Sequence, residues 1–322
     1  MKKYLSVYKS KLKIMADYIR DYKRYADNSY YRNKKENRDL EHIEGMVIRL
    51  YHGVEKGLSI SNFKKEFGLS NITLLQKLLL ELKQKNYSNN HILSAIVTLR
   101  NYYEIHQEPG TIEFEKNKKF FYDNIFSNID YKGGTKPSVS LEQLGVLNYQ
   151  DFFNSRASIR EFDVSCSIDK ETILEVLDIA KKCPSACNRQ AMKIYYSIDV
   201  DKNSELLSYQ NGSRTFRHAV PGVFIVCSDT RFQEGAEERN LGFIEGGIWI
   251  MSLVNALHYK KLGSCVLNWC VRAKHDEMFR KNFNIPSYYN INAFIAFGKP
   301  IYPQNAPFSI RRNSRDFLDE IK

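Results

Sequence analysis

The stretch GFIEGGIWIMSLVNALHYKKLGSCVLNWC, residues 242–270, decides the fold. Its uncharged run, Gly246–Tyr259, has 14 residues. A membrane-spanning helix needs about 20. The run therefore predicts a buried central helix over Gly242–Leu257, apolar on nearly every side. Behind it, Leu262–Trp269 predicts a tight glycine turn and then a strand over Ser264–Cys270. Further out, KIYYSIDV (Lys193–Val200), GVFIVCS (Gly222–Ser228) and INAFIAFG (Ile291–Gly298) are β-branched and aromatic, so they predict three more strands. Asp169 is placed to cap a helix carrying Ile173, Leu174, Val176, Leu177 and Ile179. Four strands among several helices predict an α/β or α+β sheet domain.

The half before it reads as helical. Tyr4, Tyr8, Leu12 and Met15 recur at three to four residues, as do Tyr18, Tyr22 and Tyr25. That stripe is expected to pack in a core or an interface. Asn28–Asn37 is polar and reads as a connector. Leu40, Ile43, Val47 and Leu50 make a second stripe ending near Gly53 or Gly57. Ser70-Asn71 and Ser88 are expected helix caps, and Pro109-Gly110 a stop. YKGGTKPSVS, Tyr131–Ser140, is the best linker in the chain. It divides a helical domain, 1–135, from a sheet domain, 141–322.

The chain has 322 residues and a formal net charge of +11. Residues 1–140 carry 25 Lys+Arg against 16 Asp+Glu, so the basic excess belongs to the helical half. That excess would suit an anionic partner, but it also suits a solvated helix surface, and no nucleic-acid motif accompanies it. Six Cys occur without a C-x-x-C pair, and seven His are scattered without metal spacing. The expectation is reduced thiols, no metal site, no membrane span and a cytoplasmic location. Dinucleotide-fold, P-loop and nucleophile-elbow motifs are absent.

Four segments could carry chemistry. In SRASIREF, Ser155–Phe162, an extended backbone would put Arg156, Ser158 and Arg160 on one side. Two guanidiniums and a hydroxyl suit a phosphate. In CPSACNRQ, Cys183–Gln190, Pro184 ends a helix and Ser185, Asn188 and Gln190 cluster in a loop beside free backbone amides. LGSCVLNW brings a glycine turn to a strand end. The C-terminal SIRRNSRDFLDEI offers Arg311, Arg312 and Arg315.

In this order the segments resemble the nitroreductase family of flavin enzymes. The R-x-S-x-R motif is Arg156-Ala157-Ser158-Ile159-Arg160. P-S-x-x-N-x-Q is Pro184-Ser185-Ala186-Cys187-Asn188-Arg189-Gln190, and the L-G-[ST]-C strand opening is Leu262-Gly263-Ser264-Cys265. Val220-Pro221 before a strand, Gly298-Lys299-Pro300 and a C-terminal basic residue complete the set, over about residues 148–322. The resemblance implies an α+β sandwich, a mixed or antiparallel sheet flanked by helices and here preceded by an all-α domain. It implies a homodimer holding FMN at the interface and reduced by NADH or NADPH. Arg156, Ser158 and Arg160 would take the FMN phosphate end, with Arg315 or Arg312 completing the grip. Pro184, Ser185, Ala186, Asn188 and Gln190 would line the flavin from the partner subunit. Leu267, Asn268 and Trp269 would lie near flavin N5 and offer a backbone N–H. The flavin carries the redox chemistry, so no separate catalytic side chain is expected.

Two departures concern the substrate. Ala191-Met192 stands where many members have Pro-Trp, and Asn268-Trp269 replaces an acidic-glycine pair. The acceptor would be a nitroaromatic or quinone in an assay and an unidentified metabolite in the cell. The rival readings are a degenerate flavin-fold scaffold whose basic helical domain binds an anionic partner, and a flavin enzyme that oxidises or dehalogenates a biosynthetic substrate.

Overall fold

The structure is a computed structural model that describes residues 2–28, 39–58, 64–106, 109–135, 148–301 and 314–322. Five helices come first: α1 (Lys2–Asn28), α2 (Leu40–Leu58), α3 (Leu69–Gln84), α4 (Asn90–Ile105) and α5 (Ile112–Asn124). They are followed by α6 (Tyr149–Ser155), α7 (Lys170–Ala180), β1 (Met192–Ser197), α8 (Val200–Ser208) and β2 (Gly222–Asp229). The chain continues with α9 (Leu241–Tyr259), β3 (Gly263–Asn268), α10 (Ala273–Phe283) and β4 (Tyr289–Gly298).

The strands form one antiparallel sheet in the order β1-β2-β4-β3. Its two faces follow from the two-residue period of a strand. Phe224 and Val226 join Ile295 and Phe297 under α7 and α9, with Ile173, Val176, Leu253 and Leu257. Val223, Ile225 and Cys227 turn the other way and meet Phe279 of α10, Leu206 and Leu207 of α8, and Phe294. Helices cover both faces, so β2 is buried along its whole length. This is why it reads as an unbroken apolar run. The sheet-and-helix sandwich agrees with the expected α+β class, with the sheet wholly antiparallel.

α2 to α5 share a separate core of Ile43, Val47, Ile72, Leu75, Leu99, Tyr102, Tyr103, Phe114 and Phe121, among others. Phe232, from the turn after β2, packs against that core. Gly45 admits it: a Cβ there would stand 3.2 Å from the Phe232 ring.

Several local expectations shift. α3 begins after Gly68, whose φ of 71° makes the turn, so Ser70 and Asn71 lie inside the helix. Asn89, not Ser88, caps α4 by accepting from the His91 and Ile92 amides. β1 ends at Ser197 because Asp199 caps α8. Among the described side chains of the α1 stripe, Tyr18 and Tyr22 are not packed in this chain's core, at 74% and 71% exposed. Tyr25 turns inward, its hydroxyl donating to the Gly235 carbonyl at 2.5 Å. The connector at 29–37 and linker residues 136–140 lie outside the described residues. α9 is the one described helix long and apolar enough to cross a membrane, and here it packs on β2, β3 and β4.

Candidate functional site

The R-x-S-x-R segment leaves α6 as extended backbone and runs beside the start of β3. Ser158 bridges Ser264 in parallel, and the Ile159 amide donates to the Ser264 carbonyl at 2.9 Å. Ile159 and Phe162 are buried while Arg160 is exposed and Arg156 and Ser158 are half-buried. Burial of Ile159 pins the segment and leaves Arg156, Ser158 and Arg160 on the accessible side, as the alternation predicts. Gly263 is required by this approach: a Cβ there would lie 2.8 Å from Cβ of Ile159. A guanidinium at Arg156 lies close to His258 at the end of α9. Burial first, and then Arg156, lower the His258 pKa. His258 Nε2 lies 2.8 Å from Ser155 Oγ.

The P-S-x-x-N-x-Q loop is held by different means. Cys187, Asn188 and Gln190 have φ of 51°, 54° and 52°, the left-handed region that non-glycine residues rarely adopt. The turn survives because hydrogen bonds over-determine it. The Gln190 amide donates to Ser185 Oγ at 2.9 Å, and the Asn188 amide to the Ser185 carbonyl at 3.0 Å. Arg189 is buried and grips both carboxylate oxygens of Glu238, each at 2.8 Å. It also donates to the Ala186 and Phe232 carbonyls. The Ala186 amide donates to Oε1 of Glu245 at 2.6 Å. Glu245 is 3% exposed, and burial raises its pKa against that hydrogen bond and Arg189. Pro184 and Asn188 face solvent, with Ser185, Ala186 and Gln190 half-buried. Cys183 and Cys187 do not share a helix face, because the helix has ended before either. All six cysteines are free.

Along β3, alternate side chains part company. Asn268 is exposed, and Val266 shares its face at 43% exposure. Leu267 and Trp269 turn to the α10 side, where Leu267 is 5% exposed and Trp269 packs on Phe279 and Phe294. The Trp269 indole N–H donates to Asp276 at 2.9 Å. Of the three expected N5 residues, Leu267 and Trp269 thus have only backbone to offer on that face. Arg315 lies on the exposed turn Ser314–Phe317. Arg312 lies outside the described residues.

Within one chain the two motif segments do not meet. The loop is anchored at Glu245 and Arg156 lies by His258, 13 residues along α9, or about 20 Å at 1.5 Å per residue. Just before Glu245 α9 presents Phe243 and Ile244, 51% and 60% exposed, and between the two anchors it presents Ile248, 36% exposed. Sequence reading missed Glu245 and Val266. Glu245 was visible as the single charge in an otherwise uncharged helix. Val266 shares the face of Asn268 by simple alternation.

Comparison with known proteins bears out the family read from the motifs. Residues 154–207 match the Nitroreductase family model, a span that holds both R-x-S-x-R and P-S-x-x-N-x-Q. "Putative NAD(P)H nitroreductase YodC" of Bacillus subtilis (strain 168) is 24% identical over 189 residues, which are 48% of this chain and 91% of that protein. Among solved structures, an FMN-dependent nitroreductase of Clostridium difficile R20291 is 21% identical with a TM-score of 0.43, covering 53% of this chain and 94% of its own. A "putative nitroreductase in complex with fmn" from Desulfovibrio desulfuricans is 19% identical with a TM-score of 0.47, covering 55% and 99%.

Proposed function

We propose that this chain is an FMN-dependent oxidoreductase that takes hydride from NADH or NADPH and delivers it to an organic acceptor. It works as a homodimer whose two flavin sites each draw on both subunits. The observation that carries the reading is the separation of about 20 Å along α9 between the arginine segment and the P-S-x-x-N-x-Q loop. One chain supplies two half-sites that do not meet, and a twofold partner would bring the loop of one copy to the arginines of the other. The exposed Phe243, Ile244 and Ile248 on α9 give such a partner an apolar face.

The donor set fits FMN. Arg156 and Arg160 flank the Ser158 hydroxyl, which suits a dianionic phosphate. From Ser264, β3 continues four residues to Asn268, about 13 Å of extended strand along which the rest of the cofactor could lie. FMN, when bound, supplies the hydride chemistry. The chain's own residues bind and orient. Arg156, Ser158 and Arg160 hold the phosphate end, with Arg315 or Arg312 closing the grip. Pro184, Ser185, Ala186, Asn188 and Gln190 of the partner line the ring. Leu267, Asn268 and Trp269 stand near N5 and offer backbone. A helical domain, 1–135, would be an accessory to the sheet domain, 141–322.

The test is a visible spectrum of the purified protein with FMN, repeated after anaerobic NADPH or NADH, with sedimentation to read the assembly. A bound flavin that bleaches in a dimer is expected. A colourless dimer that refuses FMN would overturn the proposal.

A further inference from the structure

α1 meets α10 and builds there a cluster of which the flavin reading uses only the Trp269 backbone. Asp276, at the start of α10, is 6% exposed. It accepts from Nε of Arg280 at 2.6 Å, from the Trp269 indole at 2.9 Å and from Arg20 at 3.2 Å. Arg24 stands 3.7 Å from the same carboxylate. Burial would raise the Asp276 pKa, but Arg280, Trp269 and Arg24 hold it below the ordinary carboxylate range. One buried carboxylate thus serves three guanidiniums. Asp21, Asp17 and Glu277 pair with Arg24, Arg272 and Arg20 at the rim, where two of these acids are 61% exposed. Within the cluster Arg20, Arg24, Arg272 and Arg280 are thus matched by Asp17, Asp21, Asp276 and Glu277. Desolvation first, and then Arg280, lower the Arg24 pKa.

Arg280 supplies the independent sign. It is 8% exposed, and its Nη1 donates to the Pro286 and Tyr289 carbonyls. Its Nη2 is buried without a hydrogen-bond partner among the described residues. Arg20, Arg24 and Arg280 all line an open groove of about 600 Å³ between α1 and α10. Lys23 and Lys281 stand on its walls, against Asp27 and Glu277. The same three arginines line a smaller cavity of about 130 Å³ that reaches Trp269 and Phe243. The charged lining of the larger groove is Arg20, Lys23, Arg24, Arg280 and Lys281 against Asp27 and Glu277, a local positive excess that suits an anion.

We propose that the groove between α1 and α10 binds a phosphate-bearing small molecule, held by Arg20, Arg24 and Arg280 with Lys23 and Lys281 at the mouth. This site is distinct from the Arg156–Arg160 segment and does not depend on the flavin assignment. The probe is pyrophosphate, titrated into the full-length protein by calorimetry and by tryptophan emission. The chain has two tryptophans, and Trp249 is 8% exposed on α9, so a signal lost in Trp269→Phe reports this cluster. Saturable binding is expected, weakened at least tenfold in Arg20→Gln and in Arg24→Gln and unchanged in Lys202→Gln on α8. Circular dichroism of the two arginine variants, both on the surface helix α1, separates lost binding from lost folding. Displacement by adenosine 2′,5′-bisphosphate assigns the groove to a nucleotide. Binding without that displacement assigns it to another phosphoester. No saturable binding at millimolar pyrophosphate, or equal affinity in a folded Arg24→Gln, would overturn the proposal.

Discussion

Glu245 is the residue on which the P-S-x-x-N-x-Q loop can be put to the test. Its carboxylate is 3% exposed and accepts from the Ala186 amide at 2.6 Å. Two substitutions separate its two properties. Glu245→Leu removes the acceptor and leaves a buried N–H orphaned, which costs about 1–3 kcal/mol. Glu245→Gln keeps an acceptor of the same shape and removes only the charge. Burial raises the Glu245 pKa in the folded chain above its unfolded value. A carboxyl of that kind contributes stability below its unfolded pKa, near 4.3, and loses it as pH rises through the folded pKa. Wild type should therefore lose ground to Glu245→Gln as pH rises from about 4 towards neutrality. The assay is urea unfolding of wild type and both variants at a series of pH values, with amide exchange at Ala186 in parallel. At neutral pH, Glu245→Gln is expected to match or exceed wild type, and Glu245→Leu to exchange Ala186 about 5- to 150-fold faster. A wild-type-to-Gln difference that does not vary with pH, or a Gln variant as damaged as Leu, would refute the reasoning.

Replacing Gly263 with Ala drives a Cβ to 2.8 Å from Ile159, so about 1–3 kcal/mol of stability should go, with FMN affinity falling in the same variant. Thermal unfolding and fluorescence titration read the two effects. Arg160→Gln should lower FMN affinity by about 10- to 100-fold while the apoprotein melts as wild type does, since Arg160 is exposed. Phe294→Ala empties a fully buried site in the sheet and should cost about 3–5 kcal/mol in urea unfolding. Ile244→Arg on the exposed face of α9 should convert the proposed dimer to monomer by sedimentation and lose FMN with it. A monomer that still holds FMN would contradict the shared site.

The legible parts of this fold were those set by local rules. β2 and β4 stood out because both of their faces are covered, which leaves unbroken apolar runs in the sequence. The Asp169 cap was readable because its carboxylate accepts from the Thr172 amide, a contact three residues long. In the R-x-S-x-R segment alternation gave the common side of Arg156, Ser158 and Arg160 once an extended backbone was assumed, and the pairing with Ser264 supplies that extension. The arrangement of α1 was not. An amphipathic stripe says that a face wants cover but not which body supplies it, and in this chain Tyr18 and Tyr22 have none. Arg20 and Arg24 read as ordinary surface charge, because Asp276, their shared acceptor, lies about 250 residues away in sequence. Glu245 is a similar case: its partner is the Ala186 amide, and backbone donors carry no sequence signature.

The helical half bears on the candidate flavin loop through short, specific contacts. α2 packs against the turn Ala186–Asn188 and against the turn Thr230–Phe232. Arg231 in that second turn pairs with Asp229 at 2.7 Å and Glu41 of α2 at 3.1 Å, and lies 3.8 Å from the centre of the Tyr288 ring. Arg49 of α2 pairs with Glu234 at 3.1 Å. Arg189 closes the circuit by binding the Phe232 carbonyl from inside the loop. A loop with three left-handed non-glycine residues stores strain of about 1–3 kcal/mol at each and keeps its shape only when its surroundings dictate it. Here part of those surroundings is α2. The helical half thus has a physical task in the sheet unit before any partner is considered: α2 braces the loop that the proposed flavin would meet.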